Sequence, residues 1–301
     1  MKVIRPMPVN DAALTSSNVS EADYAAYNPA TTYALGTRAI YIAADTHWII
    51  ESLQNANTGH TPTGLAADTW WLKIGATNRW RMFDAVVSGQ TSNADSIDVT
   101  LACTGRVNGI ALMNIAGATV RIIVTDAIDG VVYDKTTSLV STMGITDWYS
   151  YFYEPIVRVA DFVALDLPAY YAPTVRVILS APGGTALLGE LVLGMQFNLG
   201  LTENGASLGI DDYSVKQQDA WGNFSILERA YSKRATFVVE VENVRIDALH
   251  LMLASYRATP VVWVGISGYS ATFIYGFYKG FRIDIPGPVV SACSLDLAGL
   301  T

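Results

Sequence analysis

Along much of the chain hydrophobic and polar positions alternate with a period of two, the mark of strands buried on one face. Ile97, Val99 and Leu101 alternate with Asp98 and Thr100, and the stretch 119–125 is rich in β-branched residues. Asp126 to Gly130 carries turn formers that lead into Val131, Val132 and Tyr133. Val175, Val177 and Leu179 alternate again, bounded by Pro173 and by Pro182-Gly183-Gly184. Short strands punctuated by turns predict a β-sandwich or jelly roll over 81–188. Further on, Phe237 to Val241, Phe281 to Ile285 and the stretch from Cys293 read as strands. One segment breaks the period: Ile246, Leu249, Leu253 and Tyr256 share a helical face, with Asp247 early, Arg257 late and Pro260 beyond. That predicts a helix near 245–257. The expected fold class is mainly β: a sandwich or jelly-roll domain, then a C-terminal β domain (189–301) with one short helix.

Two units precede the sandwich. Residues 1–26 carry Pro6, Pro8, Asn10 and Asp11 and predict an extended N-terminal arm, either added to a neighbouring sheet edge or simply tethered. Residues 27–80 have few aliphatics, but aromatics recur at Tyr27, Tyr33, Tyr41, Trp48, Trp70, Trp71 and Trp80. Stacked rings must supply much of the buried area of so small a unit. The segment Asp147 to Pro155 is the most aromatic of all, fitting either an exposed contact loop or a plug between sheets, with packing in a core or an interface the favoured use.

Composition narrows the function. Only 15% of residues are charged against 51% hydrophobic, so part of the surface is expected to be covered by partner subunits. A net charge of −8 argues against a general nucleic-acid binder. No apolar run reaches the length of a membrane span. Cys103 and Cys293 lack metal-ligand spacing and read as two buried free thiols, a disulfide having no support in the sequence. His47, His60 and His250 show no ligand spacing, and no phosphate loop, dinucleotide fingerprint or zinc-protease motif occurs. No cofactor, no metal and no enzymatic activity are therefore expected. Glu154, Asp161 and Asp166 are the carboxylates a polysaccharide-degrading hydrolase would draw on, but their spacing shows no pair.

Three resemblances add to this. The spaced aromatics of 27–80, with Gly36, Arg38, Gly59 and Pro62 between them, resemble small chitin-binding-type carbohydrate modules. That likeness implies sugar stacking on Tyr41, Trp48, Trp70 and Trp71, while a spacer or docking knob fits the same pattern. The stretch around 106–134 is similar to galactose-binding-like jelly rolls, a likeness of fold alone. From Gly189 on, the strings Gly-Glu-Leu-Val-Leu-Gly, Ile210-Asp-Asp-Tyr-Ser, Asp219-Ala-Trp-Gly-Asn, Arg229-Ala-Tyr-Ser-Lys-Arg and Ala258-Thr-Pro-Val-Val-Trp resemble distal tail or upper baseplate proteins of long-tailed bacteriophages. The resemblance implies a virion protein, assembled in the host cytoplasm, forming a homo-oligomeric ring of three- or six-fold symmetry. Its partners would be the tail tube and the baseplate hub or fibres, with a host-surface glycan as a further candidate. Glu228, Arg229, Lys233 and Arg234 cluster in an otherwise charge-poor domain and are the expected subunit contacts. A host-sugar-binding module remains the alternative function.

Overall fold

In the computed structural model, the described residues are 1–43, 45–63, 68–141, 145–218 and 221–301. The fold is mainly β, built on antiparallel ladders, with one regular helix of ten residues at Ile246–Ser255 and a six-residue helix at Trp148–Tyr153. The alternating stretches are strands as expected. Thr91–Ala102 and Thr119–Asp126 both pair with the long strand Thr174–Asn198, and Gly130–Ser138 pairs with Thr119–Asp126. Their inward residues, among them Ile97, Val99, Leu101, Ile122, Val175, Val177 and Leu179, form the sandwich core.

The 25-residue strand Thr174–Asn198 organises the molecule. Pro182-Gly183-Gly184 reads as the end of a strand, yet it is a bulge: pairing jumps from Ser180 opposite Ser96 to Thr185 opposite Ala94. The amide of Gly183 donates to Asp95 across it, at 2.8 Å. Extra residues on one strand bend it without ending its ladder. The chain then pairs with Gly109–Ala116 and, from Gly194 to Asn198, with Lys2–Pro6. The expected boundary between residues 188 and 189 therefore falls inside a continuous strand.

Of the two uses left open for the N-terminal arm, Lys2–Pro6 takes the sheet edge, and within its own chain: it pairs with Thr174–Asn198 on one side and with Val261–Val264 on the other. Val3 packs into the C-terminal core with Phe237 and Trp263, whereas Ile4 packs on the opposite face with Ala111, Val192 and Val262. Gly194 is required at this seam, because a Cβ there would lie 1.8 Å from the Arg5 carbonyl oxygen. Leu14–Ser17 is likewise paired, to Thr91–Ala102.

Beyond the seam the sheet continues through Val261–Val264, Phe273–Asp284, Val290–Gly299 and Tyr231–Glu242. The helix Ile246–Ser255 closes its core with Leu249 and Leu253, and Tyr256 caps the helix from the same face. Cys103 lies in the sandwich core and Cys293 in the C-terminal one, as free thiols that burial pushes up to about 11. The aromatic unit is a separate three-stranded sheet, Arg38–Ala43, Thr46–Ser52 and Trp71–Ala76. It is fixed to the preceding residues where His47, stacked on Trp80, sets its ring nitrogens against Glu21 and Asp11.

Candidate functional site

The rings expected to bind sugar build the core of their own unit. Trp71 is 1% exposed, meets Tyr27 and Tyr33 edge-on, and donates its indole N–H to the His60 carbonyl at 2.7 Å. A buried ring has no face for a pyranose, so Trp71 is corrected from ligand contact to core. Trp70 is half-buried and lies flat against His60, with 3.6 Å between ring centroids. Trp48 is half-buried with the Lys73 ammonium 4.4 Å over its ring, and Tyr41 stands opposite it across the ladder. One face of each outer indole is thus taken by a neighbour in the same chain. Trp71→Ala is expected to cost about 3–5 kcal/mol, the usual loss for a large aromatic core residue. It should appear as loss of near-ultraviolet ellipticity and a lower melting midpoint; unchanged stability would return Trp71 to the surface.

The four expected interface charges also separate. Glu228 and Arg229 are exposed. Lys233 turns into its own chain, where its ammonium pairs with Asp161. Arg234 lies 3.5 Å from Asp211, which Lys279 also approaches. Lys233 is therefore an internal tie. The carboxylates considered for hydrolysis are dispersed in the same way: Asp166 accepts from Tyr133 and Lys135, Asp161 accepts from Lys233 and the Asn114 amide, and Glu154 ends an exposed helix. Of the string from Asp219 to Asn223, Asp219 and Ala220 lie outside the described residues.

The Asp161–Lys233 tie crosses a cleft of about 180 Å³ between sandwich and C-terminal sheet, lined by Met113, Asn114, Ala160, Tyr231, Phe273 and Leu300. Residues 160 and 161 end one surface insertion, and residues 230 to 233 end another. Two projections are thus rooted at one cleft. The first leaves the sheet after Gly130–Ser138 and carries the helix Trp148–Tyr153, started by a capping box in which Asp147 accepts from the Ser150 amide. Its five rings, Trp148, Tyr149, Tyr151, Phe152 and Tyr153, are 60–77% exposed, and Ile156 and Val157 extend the apolar surface. They stack along the helix, Trp148 on Phe152 and Tyr149 against Tyr153, as residues four apart do. The second projection is a hairpin of Val215–Gln218 and Phe224–Leu227, a two-stranded sheet of its own that exposes Phe224, Ile226 and Leu227. Sequence reasoning found the first segment by its ring content and favoured packing in a core or an interface for it, because ring content alone does not distinguish a plug from a tip. It missed the second, whose apolar residues are ordinary strand formers.

Behind the cleft sits a buried acid. Glu190, 3% exposed, accepts from the Ala85 amide at 3.1 Å and faces the Tyr275 hydroxyl. Burial, reinforced by the nearby Asp84 carboxylate, pushes Glu190 up to about 9, and burial raises Asp84 to about 6. Glu190 is thus protonated at neutral pH. Among the described residues no group of three or more His, Cys, Asp or Glu is placed to hold a metal ion, and no helix is long and apolar enough to cross a membrane.

Comparison with protein-family models, with curated proteins and with solved structures yields no match. The functional reading rests on the residues and geometry of this chain.

Proposed function

We propose that the chain is a structural, non-catalytic protein of a bacteriophage tail tip or baseplate, forming a homo-oligomeric ring that joins the tail tube to the hub and receptor-binding parts. The observation that carries the assembly half of this reading is the pair of exposed apolar projections rooted at one cleft. Soluble monomers rarely leave so much contiguous ring surface in water, and such patches mark protein contacts. The low charged fraction, 15%, supports the same conclusion. The tail half rests on the residue strings from Gly189 onward. A three- or six-fold ring, contacts to tube and fibres, and residence in the virion follow from that part alone. The carbohydrate alternative is weakened by the burial of Trp71 and by the covered faces of Trp48 and Trp70.

Light scattering on the purified protein, followed by electron microscopy of the particle, tests the reading. A closed ring of roughly three, six or twelve copies is expected, as cyclic and stacked-ring symmetries allow. A monomer that persists at high concentration would sink it.

A further inference from the structure

We propose that copies of this chain join head to tail, the hairpin of Val215–Gln218 and Phe224–Leu227 from one copy lying on the aromatic helix Trp148–Tyr153 of the next. This rests on the ring reading above and names the surfaces that make the ring.

Area points to a macromolecular occupant. At about 150–250 Å² per aromatic side chain, five rings at 60–77% exposure leave on the order of 500–900 Å² open to water. A stable protein interface needs about 800 Å² from each side. The tip alone supplies most of one side.

The hairpin supplies the other. Two strands without a third strand are marginal in water, and among the described residues this hairpin's strands pair only with each other. Its second strand, Phe224-Ser-Ile-Leu227, carries neither charge nor proline, while its first carries Lys216. The edge strand Gly130–Ser138, by contrast, carries Asp134 paired to Arg121 and Lys135 paired to Asp166. Charges of that kind guard a strand edge against pairing. The edge of the sandwich sheet is guarded, and the second strand of the hairpin is left open.

Charge does not select the match, since Lys216 already pairs with Asp212 and Glu228 adjoins Arg229 at the end of the hairpin; Asp147 and Glu154 bracket the aromatic helix. The acids count against an anionic membrane surface as the occupant, since no Lys or Arg lies on the helix to meet it. A tip-to-tip contact would leave every hairpin bare. A hairpin-on-tip contact covers both surfaces in a single interface, and because those surfaces differ, it repeats from copy to copy and closes a ring where the rotation between copies allows it.

The test uses two variants of the full chain, each altered at exposed positions. One is Trp148→Ser with Phe152→Ser at the tip, and the other is Phe224→Ser with Ile226→Ser on the hairpin; circular dichroism verifies that both fold. Each alone is expected to lose self-association by roughly 100-fold or more, the effect of removing interface hot spots. An equimolar mixture is expected to give a heterodimer and nothing larger, because one intact tip then meets one intact hairpin. Self-association by the hairpin variant alone would mean tip-to-tip pairing and overturn the contact. A Tyr149→Ser, Tyr153→Ser variant repeats the test on the other ring pair. If the wild type forms rings and none of these variants disturbs them, the head-to-tail contact fails while the ring reading stands. A wild-type monomer removes the ring reading itself.

Discussion

Glu190→Gln is expected to stabilise the protein at pH 8 and to leave it unchanged near pH 5. Glu190 is held at about 9 in the folded chain against 4.5 for an ordinary glutamate. The folded state therefore keeps a proton that the unfolded state gives up, and stability falls as pH rises through the window from about 4.5 to 9. Each pH unit inside that window costs at most ~1.4 kcal/mol, so the wild type is expected to lose up to ~4 kcal/mol between pH 5 and pH 8. Asp84, raised to about 6, adds a loss of the same sign that ends near that value. The groups facing the pair, the Ala85 amide and the Tyr275 hydroxyl, stay in place in the variant, and the glutamine oxygen can still accept from Ala85. Arg81 and Lys73 favour the Asp84 carboxylate and are unchanged in the variant. Urea midpoints measured at pH 5, 6.5 and 8 decide the matter. The wild-type midpoint should fall while that of the variant stays nearly level above pH 6.5. Parallel curves would mean that Glu190 is already ionised in the folded protein.

Much of this fold was legible in the sequence, and what was hidden has physical causes. Alternation at 97–101 and 175–179 located strands correctly, because each strand faces a core on one side only. The helix came within two residues of its observed ends, since Leu249, Leu253 and Tyr256 are its buried side chains. Residues 1–8 misled for the opposite reason. Val3 and Ile4 are buried on both faces of the sheet, so no alternation marks them, and Pro6 reads as a breaker although it ends the strand. Pro182-Gly183-Gly184 is the residue pattern of a turn, and only the ladder on both sides of it reveals a bulge. Candidate sites were harder still. Trp71 and Trp148 are the same residue type in equally aromatic surroundings, yet one is sealed and the other stands in solvent. Burial of a single ring depends on which strands come together around it, and local composition does not record that.

Ile4→Ala, the change that probes the seam, is expected to lower stability by about 2–5 kcal/mol, the range for emptying a large aliphatic site in a packed core. Ile4 is fully buried among Ala111, Met113, Val192, Val262 and Tyr275, residues drawn from both halves of the chain. Its strand is the only link in the ladder path between Thr174–Asn198 and Val261–Val264 among the described residues. A void there loosens contacts on both sides, and little slack exists to fill it, since Gly194 already brings two backbones into close approach. Val131→Ala, on the exposed edge strand, is the control and should change stability by less than about 0.5 kcal/mol. Urea unfolding of both variants should show a lower midpoint for Ile4→Ala with an unchanged slope, as a stability loss without a change in unfolded area requires. A detachable arm gives a different result: Ile4→Ala would then match the control in the dissociated chain and weaken only assembly. Measuring unfolding at a concentration where the chain is monomeric separates the two, because a seam residue matters within one copy and an arm residue matters only between copies.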